Sequence, residues 1–120
     1  MANVDAVLEE LMSLHGAIGV AVADYSSGMT LVSVSSGTYD VAFAAAHESE
    51  AIRSELKTLK SLKMESKVED ILVTMTDQYN ILRVLSREKN LFFFLTMKRA
   101  DANLALARRK LVEAEAKISV

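Results

Sequence analysis

Leu91-Phe92-Phe93-Phe94-Leu95 is an unbroken run of large apolar residues. In Ala17-Ile18-Gly19-Val20-Ala21-Val22-Ala23, bulky Ile18, Val20 and Val22 alternate with the very small Ala17, Gly19, Ala21 and Ala23. At a strand's period of two, both stretches are apolar on both faces. A strand of that kind needs cover above and below, so both belong in the middle of a sheet.

The remaining elements are placed around these two. Asn3 to Leu14 reads as a helix, with Asn3 as N-cap and Asp5, Glu9 and Glu10 placing negative charge along it. Its Val4, Val7, Leu8, Leu11 and Met12 recur at helical spacing, and Gly16 is a natural stop. Asp24-Tyr25-Ser26-Ser27-Gly28 is turn chemistry, and Met29 to Val34 is the return strand of a hairpin. Thr38 is placed to cap the longest helix, Tyr39 to Leu62, whose Val41, Ala45, Ile52, Leu56 and Leu59 form one stripe. A polar break, Lys63 to Lys67, precedes strands over Val68–Thr76, Tyr79–Ser86 and Leu91–Lys98. Asp101 is read as the N-cap of a last helix that ends at Ile118.

The order is therefore α-β-β-α-β-β-β-α, an α+β arrangement. Short loops make each run of strands an antiparallel meander. Joining the two central strands gives a five-stranded antiparallel sheet in the order 2-1-5-4-3. The long middle helix is expected on one face, where small residues let its backbone come close. The terminal helices are expected on the other.

Composition bounds the function. The chain has 120 residues, is 51% hydrophobic, and contains no Pro, Cys or Trp. Its mean hydropathy is +0.20. One domain over residues 1–120 is expected. Zero Cys excludes a disulfide framework, a thiolate metal site and a Cys nucleophile. The net charge of -2 gives no reason to propose nucleic acid or an anionic membrane as partner. No run approaches the ~18 apolar residues of a membrane helix, and the acidic start, MANVDAVLEE, is unlike a signal peptide. A cytoplasmic protein without a cofactor is the expectation. The chain begins at its first helix and stops at its last, so a role that depends on terminal tails is not expected.

Catalytic patterns are sparse. His47 has Glu48 beside it, but position 51 is Ala, so the HExxH metal pattern fails. Ser54-Glu55-Leu56-Lys57 matches S-x-x-K without its companion motifs. Gly16-Ala17-Ile18-Gly19 precedes a strand, not the helix a phosphate loop requires. Asp24 and Asp77 sit at expected turns. Phe92 to Phe94 read as core, not as a ligand box. Arg53, Lys57 and Lys60 form a basic stripe, which is either a partner-binding surface or a complement to the helix dipole. Arg108-Arg109-Lys110, with Glu113 and Glu115 nearby, reads as a solvated helix face.

The third strand stands out. Ile71, Leu72, Val73, Thr74 and Met75 make an edge without Pro, and its charges, Glu69 and Asp70, lie only at its start. Such an edge is a template for another chain. These residues are the candidate dimer interface, and two copies pairing edge to edge would cover them.

Gly16 to Ser35 (GAIGVAVADYSSGMTLVSVS) resembles the first hairpin of the roadblock/dynein light-chain domain family. Asn90 to Ala114 (NLFFFLTMKRADANLALARRKLVEA) resembles that family's last strand and final helix. The resemblance spans about Val4 to Ile118 and includes the order of elements. It implies a non-enzymatic interaction domain that dimerises through its third strands, with the middle helices packed together. It also implies a platform for a small Ras-like GTPase, or for adaptor work in dynein-type or signalling complexes. The partner is then a second copy or a paralogous domain. A small-ligand sensor is the competing reading, with a cavity expected over the small-residue face of the first strand. An enzyme has no recognisable nucleophile–base set behind it.

Overall fold

The computed structural model describes residues 3–119. Its elements are α1 (Val4–Met12), β1 (Ala17–Asp24), β2 (Met29–Ser35), α2 (Val41–Ser61), β3 (Asp70–Thr74), β4 (Gln78–Val84), β5 (Leu91–Lys98) and α3 (Leu104–Lys117). The sheet order is β2-β1-β5-β4-β3, and every pairing is antiparallel. The two doubly apolar stretches are neighbours at its centre, with Val20 opposite Leu95 and Val22 opposite Phe93. Val20 to Ala23 and Phe92 to Leu95 are wholly buried.

The two faces of β1 bury against different partners. Val20 and Val22 join Phe93, Leu95 and Met97 of β5 in a layer covered by Val4, Val7, Leu8 and Leu11 of α1 and by Ala107 and Leu111 of α3. Ala21 and Ala23 lie opposite Phe94 and Phe92, under Val41, Ala45 and Ile52 of α2. Small residues thus leave room for both the phenylalanine rings and the helix. At Gly19 the approach is closest, since a Cβ there would occupy the space of the Val41 side chain. The face expected to hold a cavity is filled by α2.

Several helix ends differ from the sequence reading. The start of α2 is capped by Asp40, whose carboxylate accepts from the Phe43 N–H at 3.0 Å, and not by Thr38. The start of α3 is capped by Asn103, which accepts from the Leu106 N–H at 3.0 Å. Asp101, the expected cap, lies in the turn before the helix, with Oδ1 3.8 Å from Nε2 of His15. Asn3 precedes α1 but gives it no side-chain bond. Its amide instead donates to the Lys117 carbonyl and accepts from the Ser119 N–H, tying α1 to the end of α3. Each segment offered several side-chain acceptors, and the path of the chain out of the sheet decided which one reached a free N–H.

Candidate functional site

Among the described residues the strand β3 hydrogen-bonds only to β4, so its other side is an open sheet edge. The ladder bonds from Val84 N–H to the Glu69 carbonyl and from Met75 N–H to the Gln78 carbonyl fix the alternation. Residues 69, 71, 73 and 75 direct their backbone groups at β4. Asp70, Leu72 and Thr74 direct theirs outward. Side chains alternate with the same period of two, but between the two faces of the sheet. Ile71 packs with the layer under α2, and Leu72 packs with the layer under α1 and α3. Both are half-buried, as is Val73.

The candidate interface residues do not all share one role. Ile71, Leu72, Val73 and Thr74 lie in β3. Met75 lies just past it: its N–H still bonds to the Gln78 carbonyl, but its own carbonyl leaves the ladder and accepts from Arg99 Nη1 at 3.0 Å. The strand is also shorter than Val68–Thr76 at its start, where Val68 and Glu69 belong to the connection from α2.

A groove of about 620 Å³ opens on the α2 face beside this edge. Leu56, Leu59 and Lys60 of α2, Met64 and Val68 of the connection, and Val84 of β4 line it. A shallower continuation of about 650 Å³ runs past Lys67 and Glu69 to Ile71. Leu62 and Met64, 64% and 50% exposed, stand at the end of α2, so apolar surface continues from edge to helix.

Charge is organised around the same strand. Asp70 receives both Nε (3.1 Å) and Nη2 (3.3 Å) of Arg108, which fastens the start of β3 to α3. Glu115 accepts from Arg83 Nε at 3.0 Å, from the Ser86 N–H at 2.7 Å and from the Ser86 hydroxyl at 2.6 Å. Burial pushes this carboxyl up, but the Ser86 hydroxyl and N–H and the Arg83 guanidinium outweigh it and hold the pKa below its ordinary value. Arg87 donates to the carbonyls of Glu115 and Ala116 near the end of α3. The reading of this helix as a plain solvated face is thus corrected at Arg108 and Glu115. Their partners lie 38 and 29–32 residues away, beyond the reach of any local pattern.

The basic stripe divides in two. Arg53 donates to the Tyr25 carbonyl and ties α2 to the β1–β2 turn. Lys57 and Lys60 are exposed, and Lys60 stands at the groove. His47 packs edge-on against the exposed Phe43 ring, with centroids 4.1 Å apart. Among the described residues no three His, Asp or Glu side chains come together to hold a metal ion. Asp24 serves the turn, accepting from the Ser26 hydroxyl and N–H at 2.6 and 2.8 Å, and the Ser26 hydroxyl chiefly lowers its pKa.

No family model matches the sequence, and no curated protein matches it significantly. Solved structures do match, despite low identity. A Roadblock/LC7 domain from Streptomyces avermitilis superposes with a TM-score of 0.81 at 9% identity, covering 94% of this chain and 92% of that one. The chain has the Roadblock/LC7 fold. MglB from Myxococcus xanthus superposes equally well, with a TM-score of 0.81, 12% identity and coverage of 97% and 91%. An MglB structure described as having a tetrameric arrangement gives 0.78 at 15% identity, covering 92% and 81%. Among the described residues of this Roadblock-fold chain, no helix is long and apolar enough to cross a membrane.

Proposed function

We propose that this protein is a single-domain, non-catalytic scaffold that pairs with a second copy through β3 and regulates a small Ras-like GTPase. The observation that carries the reading is the open β3 edge, with Asp70, Leu72 and Thr74 offering unpaired backbone groups beside half-buried Ile71 and Val73. An edge with those properties is a liability in a monomer and an asset in a dimer. The exposed Leu62 and Met64 extend the surface toward α2, as a dimer with packed middle helices requires. The tetrameric arrangement of a similarly folded MglB supports association of such domains with one another. The GTPase part rests on the family resemblance, with exposed Lys57 and Lys60 as candidate contacts and Arg53 contributing from the turn side.

Two measurements test this reading. Light scattering at micromolar concentration should give twice the 13.2 kDa chain mass, and a stable monomer would reject the scaffold. Pull-down with small GTPases in GDP- and GTP-analogue-loaded states should show binding in at least one state, and none in either would reject the GTPase role.

A further inference from the structure

We propose that two copies pair about a twofold axis at Leu72, in the register that sets Asp70 opposite the partner's Thr74. This rests on the β3 pairing proposed above and adds its register and the charges it brings together. Only Asp70, Leu72 and Thr74 have outward backbone groups, so an antiparallel partner bonds only where such residues face each other. Three nearby axes meet that condition. With the axis at Leu72, all three outward residues find partners inside the strand. With the axis at Ile71 or Val73, only two of them do.

The side chains choose the same register. On the α2 face it sets Ile71 beside the partner's Val73, and on the other face Leu72 beside the partner's Leu72. An axis at Ile71 would set the partner's Glu69 beside Val73, inside the strand, whereas the Leu72 axis moves that charge out to Met75, past the strand's end. An axis at Val73 would set Glu69 near the partner's Asp77, and like charges opposed across strands are destabilising. The Leu72 axis instead brings the partner's Met75–Asp77 turn alongside Lys67 and Glu69, at the rim of the shallow groove, with Lys67 nearest the partner's Asp77. Neither Lys67 nor Asp77 has an ion-pair partner among the described residues. Twofold symmetry supplies the contact twice. Asp70 is already neutralised by Arg108, so burying it beside the partner's Thr74 leaves no unpaired charge.

The chain contains no Cys, so disulfide trapping reads the register directly. Ile71 and the partner's Val73 would form a non-hydrogen-bonded pair with Cα atoms about 4.5 Å apart, within disulfide reach. Ile71→Cys alone, Val73→Cys alone and an equal mixture are oxidised, and covalent dimer is followed on non-reducing gels. Light scattering on the unmodified protein runs alongside. The mixture should link about tenfold faster than either variant alone. Fast self-linking of Ile71→Cys or of Val73→Cys moves the axis by one residue and overturns the register, while the pairing stands. No link in any sample of a protein that scatters as a dimer overturns both the register and the edge. A monomer overturns the pairing reading itself. A charge swap reads the same contact in a second way. Lys67→Asp should weaken association several-fold and Asp77→Lys added to it should restore it, and a double variant as weak as the single one refutes the contact.

Discussion

Replacing Glu115 with Ala tests the packing of α3 on the sheet. The Glu115 side chain is 9% exposed and the Arg83 side chain 18%. The substitution removes one ion pair and two bonds to Ser86, and leaves a guanidinium that only partly reaches water. Breaking a buried pair from one side typically costs about 3–5 kcal/mol. Arg83 retains some access and Ser86 is exposed, which puts the cost at the lower end, about 3 kcal/mol. With a urea slope of about 1.5 kcal/mol/M, the midpoint falls by about 2 M. Equilibrium unfolding followed by circular dichroism measures this, at one protein concentration because association would add to stability. The pH dependence has a definite sign. The carboxyl's pKa is lowered from 4.5 in the folded state, so the unfolded chain takes up protons first as pH falls. The contribution is therefore complete above the ordinary glutamate range and is lost as pH drops through the lower folded value. Glu115→Gln, which keeps the shape, should lose that acid-dependent part. A Glu115→Ala variant within about 0.5 kcal/mol of the parent, or a Glu115→Gln variant with the parent's acid profile, would refute the reasoning.

Three further outcomes follow from the same geometry. Val73→Lys or Ile71→Asp should raise the dissociation constant of self-association by about tenfold or more, measured by sedimentation, since about 1.4 kcal/mol suffices for tenfold. Lys89→Ala, in the exposed β4–β5 turn, should not. Gly19→Ala should cost about 1–3 kcal/mol in thermal unfolding, because Val41 already occupies the space of the new methyl group. Asp40→Ala should cost about 1 kcal/mol through loss of the α2 cap, while Thr38→Ala should leave stability nearly unchanged.

The sheet order was legible because the two central strands announce themselves. Phe92 to Leu95 and Val20 to Ala23 are apolar at every position, and only a strand covered on both faces tolerates that. The small-residue face of β1 likewise foretold the close approach of α2. The helix caps were not legible. Asp40 competes with Thr38, and Asn103 with Asp101, within one turn of chain, and each pair contains two good acceptors. At the candidate site, the apolar character of Ile71 to Val73 was visible. That Met75 bonds back to Gln78 and Arg99 was not, because that depends on where β4 begins.

What the sequence determined by itself is local and periodic: which segments are strands or helices, which strands need two covers, and which edge lacks a guard. Hydrophobic periodicity encodes these directly, since each side chain's direction follows from its position in the repeat. What only the tertiary structure decided is long-range and polar. Asp70 meets Arg108 across 38 residues and Glu115 meets Arg83 across 32. Charged side chains are common on exposed helices, and sequence spacing says nothing about which of them another element will bury. The outward direction of the Asp70, Leu72 and Thr74 backbone groups belongs with these. It is set by the phase of the β3–β4 ladder, a property of two strands in register that neither carries alone.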